Sequence, residues 1–364
     1  MVILNISNIT NNQGAGTNIN IPLFVKGIGK YEQIANLNCN DIDIDNLKGF
    51  DNKFTLKDIK KYDISYLPEP FNKPDLVVFQ GIYIIYYPLI AKKLEKHGIP
   101  YIIIPRCSMT NMAQEKSKLK KKIFNVLLFN SFIKRAFFIE FLTKNEYIES
   151  KKSFKFNDYV IIGNGYNTPK VFYECKKRDE FKIVFIGRYA LYHKGLDILL
   201  DAICYNKHKF IDNNIKFVLY GPNFEKGKDK LEQLVQEYKL EQIVELREAV
   251  FGEEKEKALL DADLFIHTSR FEGHPTSVIE AISYGIPVLV TPGTNMLEDV
   301  KNNKLGFFCN LDKKDISDTI MSAYKNRNKF KIISSSEKKF ALENYDWSNI
   351  IKINIATYKH KLRR

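Results

Sequence analysis

Apolar residues along the chain fall into short continuous runs that alternate with segments of helical periodicity. The runs Leu76–Gln80 and Phe181–Ile186 have the length and the β-branched and aromatic content of buried strands. In the segment at 196–203, leucine and isoleucine recur at i, i+3, i+4 and i+7, the spacing of one helix face. Strands that alternate with helices indicate parallel pairing through crossover connections. The pattern therefore predicts an α/β protein.

A polar and charged segment at residues 166–180 divides the chain into two halves. It follows a Gly-Asn-Gly turn and contains Pro169, a composition typical of a linker between domains. Both halves show the alternation of strands and helices, and 364 residues exceed the usual length of one domain. We therefore predict two α/β domains, at residues 1–165 and 170–345, followed by a C-terminal helix.

The segment at residues 262–291 combines strand, loop, helix and strand patterns in one unit. A short apolar run is followed by a polar turn, and then by a segment of helical spacing that ends at Gly285. The turn and the helix carry Glu272 and Glu280. Eight residues of α-helix separate two carboxylates by about 12 Å, which does not favour the pair of a retaining glycosidase, at about 5 Å. For each glutamate, a surface position near the helix start is the alternative.

Two anion-binding features accompany this unit. Arg188 and Lys194 flank the loop after the first strand of the second half, and ligands of parallel sheets bind at the carboxyl ends of strands. Two cations there suit a pyrophosphate, although solvated loop cations have the same pattern. The helix of the unit follows Pro275, and the N–H groups and positive dipole at its start attract anions. Thr276 or Ser277 can cap the helix at the same time.

Three segments of the second half together resemble the donor half of the family 4 retaining glycosyltransferases. They are GRYALYHKG at 187–195, LYGP at 219–222 and the unit at 262–291. Order and spacing both agree with the family's motifs. The matching positions are Gly187, Arg188, Lys194, Gly195, Gly221, Ser269, Glu272, Gly273, Glu280, Ala281, Gly285, Pro287 and Val288.

This resemblance is strongest over residues 180–295 and implies the GT-B fold. In that fold, two Rossmann-like β/α/β domains face each other across a cleft. Residues 1–165 would form the acceptor-binding domain and residues 170–345 the nucleotide-sugar donor-binding domain. A helix at about 346–364 would pack back onto the first domain.

The same resemblance implies transfer of a hexose-type sugar from a UDP- or GDP-sugar, with retention at the anomeric carbon. The acceptor would be a lipid-linked glycan in bacterial surface polysaccharide synthesis, such as capsule, exopolysaccharide or O-antigen. Arg188 and Lys194 would stabilise the leaving diphosphate, a role that a metal has elsewhere. Glu272 would hold the reacting sugar and Glu280 the ribose. The further donor-binding residues would be Gly273, His274, Pro275, Thr276, Ser277, Gly187, Gly14 and Gly16.

The first half matches the family less well. Gly14 and Gly16 lie where the family has a glycine-rich loop beside the diphosphate, although the residues alone are equally typical of a plain turn. Many members carry a histidine after the strand that corresponds to residues 100–105, and Arg106 follows that strand here. Arg106 is therefore the candidate on the acceptor side.

Neither a metal nor another cofactor is expected. Asp41, Asp43 and Asp45 have Asp-x-Asp spacing but lie in an Asn-rich loop of the first half, and we interpret them as surface charge. The five cysteines are scattered and include no CxxC pair, which argues against a zinc site and favours a reducing compartment.

Residues 115–135 carry seven lysines and arginines and one acidic residue. Leu119, Ile123, Val126, Leu127 and Ile133 recur within them at roughly helical spacing, which predicts a basic amphipathic helix. Such a helix docks on an anionic membrane surface, or is an ordinary surface helix with a solvated lysine face. Nucleic acid is a weaker interpretation, because no aromatic–basic repeat accompanies the lysines.

Composition sets the remaining expectations. The net charge of +13 favours anionic partners, although an AT-rich coding genome produces many lysines as well. No apolar stretch reaches about 18 residues and no signal peptide is visible, so we expect a cytoplasmic protein, peripheral on the inner face of the plasma membrane. The alternatives are a GT-B sugar-nucleotide epimerase, a non-catalytic nucleotide-sugar-binding subunit, and a basic nucleic-acid-binding protein supported by charge alone.

Overall fold

The computed structural model describes residues 1–12, 14–40, 42–115, 118–175 and 178–363. The chain forms two compact units, of which the first comprises Met1–Asn164 and Trp347–Arg364 and the second Gly165–Asp346. Each unit is built on one parallel sheet with helices in its crossover connections. This confirms the predicted α/β class with two Rossmann-like domains.

Within the described residues, the sheet of the first unit has seven strands, all of them parallel. The strands are β1 (Val2–Ser7), β2 (Gln33–Asn38), β3 (Lys53–Thr55), β4 (Leu76–Gln80), β5 (Tyr101–Ile104), β6 (Ile139–Phe141) and β7 (Tyr159–Ile161). Their order is β3-β2-β1-β4-β5-β6-β7. The helices are α1 (Gly16–Ile28), α2 (Tyr86–Lys96), α3 (Asn111–Glu115), α4 (Lys118–Phe124), α5 (Asn130–Arg135), α6 (Lys144–Lys151) and, at the chain end, α16 (Trp347–Leu362).

Helix α16 is held to the first sheet by a buried polar contact. The Tyr358 hydroxyl donates to Glu140 on β6 at 2.6 Å, and the Asn354 amide donates to the other oxygen of that carboxylate at 3.1 Å. Burial raises the pKa of Glu140 to about 7, while the two hydrogen bonds act in the opposite direction. The first unit is thus built from both ends of the chain.

The second sheet has six parallel strands within the described residues. They are β8 (Phe181–Ile186), β9 (Ile215–Tyr220), β10 (Val244–Arg247), β11 (Leu264–His267), β12 (Val288–Val290) and β13 (Gly306–Phe308). Their order is β10-β9-β8-β11-β12-β13. The helices are α7 (Leu191–Lys194), α8 (Leu196–Tyr205), α9 (Lys207–Asp212), α10 (Gly227–Glu237), α11 (Gly252–Leu260), α12 (Thr276–Tyr284), α13 (Leu297–Asn303), α14 (Lys313–Lys325) and α15 (Phe330–Asn344).

Strand order reverses between β8 and β11, which pair directly through Leu264 and Ile183. The chain builds β9 and β10 on one side of β8 and then returns to build β12 and β13 on the other. Ligands of such sheets bind at this switch point, outside the carboxyl ends of the strands. The loops that follow β8 and β11 are the ones in which the sequence places its candidate residues.

The basic segment is helical, but not as one regular helix. Helices α4 and α5 are joined by a π-helical turn at Asn125–Phe129, Glu115 ends α3, and Lys116 and Ser117 lie outside the described residues. Phe129, Phe132 and Ile133 are buried in the first core. By contrast, the exposed fractions of Leu119, Val126 and Leu127 are 79%, 70% and 68%, and Ile123 is exposed as well.

Two sequence expectations concern features at the surface. Asp43 and Asp45 are exposed and pair with Lys53 at 2.9 Å and with Lys48 at 2.7 Å, as surface charges do, whereas Asp41 lies outside the described residues. In the part of the chain that is described, no helix is both long and apolar enough to span a membrane.

Candidate functional site

Lys194 and Glu272 meet at the switch point of the second sheet. The loop after β8 carries Lys194 and the loop after β11 carries Glu272, and the lysine ammonium donates to Oε1 of the carboxylate. The Ser269 hydroxyl donates to the same oxygen at 3.1 Å. Only 11% of the Lys194 side chain and 13% of the Glu272 side chain are exposed. Two residues that lie far apart in the sequence thus form a largely buried ion pair.

Gly195 lets these two loops approach each other. Its φ is +63°, in the left-handed region, and an added Cβ would lie 2.1 Å from the carbonyl oxygen of Thr268. Any side chain here would push the β8 loop away from the end of β11. The Lys-Gly pair of the motif therefore has a structural reason: the glycine permits the contact that the lysine makes.

Opposing effects act on the Glu272 carboxyl. Burial raises its pKa, but the Lys194 ammonium and the hydrogen bond from His267 outweigh burial, so the pKa lies well below its usual range. Glu272 is therefore ionised at neutral pH. An ionised carboxylate accepts hydrogen bonds and donates none, which suits contact with sugar hydroxyls.

Two neutral histidines border the ion pair. His267 is fully buried at the end of β11, with Nε2 3.5 Å from Glu272 Oε1, and burial lowers its pKa to about 4. The His193 Nε2 lies 3.7 Å from the same oxygen, and its ring stacks on Phe271 at 4.1 Å. Burial lowers the pKa of His193 as well. Lys194 is therefore the cation that balances Glu272 at neutral pH.

Side chains of the segment after β12 form hydrogen bonds to the backbone of the loop that carries Glu272. The Asn295 side-chain amide donates to the carbonyl oxygens of Glu272 and Gly273, and the Thr291 hydroxyl donates to the carbonyl of Ser269 at 3.0 Å. Asn295 has a positive φ of 58°. The loop backbone is thus fixed by two polar side chains of a neighbouring segment.

Arg188 lies apart from this ion pair. Its guanidinium stacks on the Phe224 ring, 4.6 Å from the centroid, and the side chain is half-buried. Among the described residues, no carboxylate lies within ion-pair distance of Arg188. Of the two predicted cations, Lys194 is thus paired with a carboxylate, whereas Arg188 stacks on an aromatic ring.

Glu280 lies in a different environment from Glu272. It is buried on α12, and its Oε2 forms an ion pair with Lys255 of α11. The N-cap of α12 is Pro275, which has no side-chain acceptor, so the possible capping by Thr276 or Ser277 is not what the structure shows. Gly273, Pro275, Thr276 and Ser277 all lie in the chain segment between the two glutamates.

His274 and Gly187 complete the predicted residues of the second unit. His274 is buried, packs edge-on against Tyr345 at 5.5 Å, and has a pKa that burial lowers to about 4. A Cβ at Gly187 would lie 3.6 Å from Cε of Lys194. Gly187 therefore borders the lysine side chain, whereas His274 is packed into the unit.

Gly14, Gly16 and Arg106 belong to the first unit. The two glycines lie at the amino end of α1, where Gly14 N–H donates to Asn12 Oδ1 at 2.9 Å. Arg106 Nε donates to Gln80 Oε1 at 2.8 Å and Nη1 donates to Asn164 Oδ1 at 3.1 Å. Burial lowers the pKa of this arginine to about 10. Arg106 is thus held inside the first unit by side-chain amides.

Three residues of the site were not predicted from the sequence. His267 had a usable signal, because it is a polar residue at the carboxyl end of an otherwise apolar strand. Lys255 had none, since it is one of two lysines on a charged surface helix. For Asn295, the only sequence signal was its position in a turn after β12.

Comparisons with known proteins match mainly the second unit. Residues 170–340 match the family described as glycosyl transferases group 1. The uncharacterized glycosyltransferase MJ1607 of Methanocaldococcus jannaschii is 28% identical over 186 residues, which are 50% of this chain and 45% of that protein. The putative colanic acid biosynthesis glycosyltransferase WcaL of Escherichia coli is 30% identical over 120 residues, or 31% of this chain and 29% of WcaL. The matches thus span less than half of each relative.

A solved structure extends the likeness to the whole chain. HepE from Anabaena, in complex with UDP-glucose, superposes with a TM-score of 0.78 at 14% identity, and the match covers 98% of this chain and 99% of HepE. At this identity the likeness is one of fold. Residues 170–340 of the second unit thus resemble the glycosyl transferases group 1 family, and the chain has the GT-B fold.

Proposed function

We propose that this protein is a retaining glycosyltransferase that transfers a hexose-type sugar from a UDP- or GDP-sugar to a lipid-linked glycan acceptor. The observation that carries the proposal is the buried Lys194–Glu272 pair at the switch point of a group 1 domain. The UDP-glucose bound to HepE supports the donor class, and the name of WcaL supports surface polysaccharide synthesis. We assign the donor to the second unit and the acceptor to the first.

The second unit has suitable groups for each part of the donor. The carboxylate of Glu280 accepts hydrogen bonds from the ribose hydroxyls. Arg188 and Lys194 bind the diphosphate, and the lysine serves both partners because its ammonium has three N–H donors, of which Glu272 takes one. The Glu272 carboxylate and the amides of residues 273–276 hold the sugar hydroxyls.

Chemistry then proceeds on one face of the sugar. The acceptor hydroxyl forms the new bond to the anomeric carbon on the side from which the diphosphate leaves, and a departing phosphate oxygen takes the hydroxyl proton. Arg188 and Lys194 stabilise the charge that develops on the diphosphate. This route uses no enzymatic nucleophile and relies on side-chain cations where other transferases use a metal.

Thermal unfolding with a panel of nucleotides tests the donor assignment. We expect UDP or GDP, and the corresponding sugar nucleotides, to raise Tm both in EDTA and with Mg²⁺. Ligand at 100 times Kd stabilises the folded state by about 2.7 kcal/mol. Uridine and inorganic pyrophosphate, which each fill part of the site, serve as controls and should shift Tm less. If no nucleotide raises Tm, the proposed function is wrong; if the shift needs Mg²⁺, the metal-independent route is wrong.

We further propose that the exposed face of α4 and the π-helical turn docks on the anionic inner face of the plasma membrane. This docking face consists of Leu119, Ile123, Val126 and Leu127, with Lys120 and Lys122 beside them. Contiguous exposed aliphatic side chains are unusual on a soluble surface and fit the acyl boundary of a bilayer. Each adjacent lysine adds about 1 kcal/mol at an anionic surface.

Vesicle sedimentation measures this docking. We expect Leu119→Ser/Val126→Ser/Leu127→Ser to reduce binding to phosphatidylglycerol vesicles at least about tenfold at any salt, since each large aliphatic side chain contributes about 1.5–3 kcal/mol when fully buried. Lys120→Gln/Lys122→Gln should reduce binding mainly at low salt. The matched control Ile332→Ser/Leu342→Ser changes exposed aliphatic residues of the second unit and should bind normally. Equal binding by all variants would contradict the docking.

A further inference from the structure

We infer that Lys255 is a positioning residue that orients Glu280 in the subsite for the donor ribose. This inference rests on the proposed function. Lys255 lies on α11, and its ammonium forms an ion pair with Oε2 of Glu280. Only 19% of the Lys255 side chain and 7% of the Glu280 side chain are exposed. The carboxylate that would read the ribose is therefore oriented by a neighbouring cation.

The surroundings of Glu280 explain why a cation is needed. Helix α11 also carries the acidic residues Glu253, Glu254 and Glu256. Glu256 accepts a hydrogen bond from Tyr284 at 2.8 Å, and the Tyr284 hydroxyl lies 3.4 Å from that of Tyr166. Burial raises the pKa of Tyr166 to about 12, with a further contribution from the charge of Glu280. Tyr166, which is linked through Tyr284 to Glu256, thus lies within electrostatic range of Glu280, and Lys255 is the cation paired with Glu280.

The ion pair with Lys255 gives the two carboxylate oxygens of Glu280 different roles. With Oε2 held by Lys255, Oε1 is the oxygen that can accept from the vicinal hydroxyls of the ribose. A carboxylate held at one oxygen keeps one orientation, whereas an unpaired buried carboxylate turns toward water or takes up a proton. A protonated carboxyl is a weaker acceptor. Lys255 therefore controls recognition of the ribose without touching the reacting bond.

The test compares ligands that differ only in the ribose hydroxyls. Titration calorimetry measures Kd for UDP and for 2′,3′-dideoxy-UDP, or for the guanosine pair if GDP is the nucleotide that raises Tm. We expect Lys255→Met to raise Kd for the natural nucleotide about tenfold, the order expected for hydrogen bonds to a charged group. Kd for the dideoxy analogue should change by no more than about twofold. The tenfold loss for the natural nucleotide corresponds to about 1.4 kcal/mol, and this free energy comes from ribose contacts that the analogue does not make. Donor KM should rise while kcat changes little.

Matched variants separate positioning from folding. Lys257→Met removes an exposed lysine from the same helix and should bind both ligands normally. Lys255→Arg retains the ion pair and should preserve most of the ribose discrimination. In the Glu280→Gln background, Lys255→Met should have no further effect on nucleotide affinity. That double variant lacks the lone buried charge, so it keeps the test valid if Lys255→Met alone unfolds.

These measurements distinguish failure of the proposed function from failure of the role inferred for Lys255. If wild-type protein binds neither UDP nor GDP, the proposed function fails and the role of Lys255 falls with it. If wild-type protein binds but Lys255→Met weakens the natural and dideoxy ligands equally, Lys255 has no ribose-specific role and only this inference is overturned. If adding Lys255→Met to Glu280→Gln weakens nucleotide binding further, the role inferred for Lys255 is overturned as well.

Discussion

The variant Lys194→Met is expected to lose about 10²–10³-fold in kcat, the loss typical of removing one preorganised donor from a developing anion. Lys194, the last residue of α7, is held by Glu272, so its ammonium needs no reorganisation as the diphosphate leaves. Steady-state assays of acceptor-dependent nucleotide release measure the effect. Lys314→Met, at an exposed position on α14, is the matched control and should keep full activity.

The same variant should also unfold at a lower temperature. Removing one partner of a buried ion pair leaves an uncompensated charge and costs about 3–5 kcal/mol. Adding Glu272→Gln removes that charge, so the double variant Lys194→Met/Glu272→Gln should recover most of the lost Tm and none of the activity. Retention of kcat within fivefold by Lys194→Met would refute the electrostatic role, and a double variant no more stable than the single one would refute the pairing.

The second prediction with a large effect is that substitutions of Glu280 and Glu272 change different parameters, donor affinity and turnover. Glu280→Gln should raise the donor Kd about 10–100-fold with little change in kcat, because a charged hydrogen bond is worth about 1.5–3 kcal/mol and the ribose is bound equally before and during reaction. Glu272→Gln should mainly lower kcat, since that carboxylate holds the sugar whose bond breaks. Calorimetry and single-turnover rates separate the two parameters. Similar losses in both parameters for both variants would contradict this division of labour.

Much of the fold could be predicted from local patterns. The run at Phe181–Ile186 and the spacing at 196–203 correspond to β8 and α8, because continuous burial and a 3.6-residue period are properties of single segments. Residues 36–74 show no regular apolar period in the sequence, and the structure explains this. Their described residues form β3, which is three residues long, and three 3₁₀ turns of three residues each, and elements this short do not show a period.

The basic segment shows a different limit of sequence patterns. Helical spacing at 115–135 predicted one amphipathic helix, and the structure has α4, a π-helical turn and α5. The extra residue in the π turn changes the face on which later side chains lie. As a result Phe129, Phe132 and Ile133 enter the core, while Leu119 and Val126 remain outside. Burial of this kind depends on packing partners, which periodicity does not specify.

By itself, the sequence determined the α/β class and the loops that carry the candidate chemistry, because strand, turn and helix-start signals are local. It also made Arg188, Lys194, Glu272 and Glu280 candidate site residues, through the resemblance of the motifs around them to those of the family 4 glycosyltransferases. Only the tertiary structure decided which charges meet. The pairing of Lys194 with Glu272 follows from the adjacency of β8 and β11, and that of Glu280 with a helix α11 lysine follows from helix packing. Long-range strand order and burial set these contacts, and neither is encoded in a local pattern.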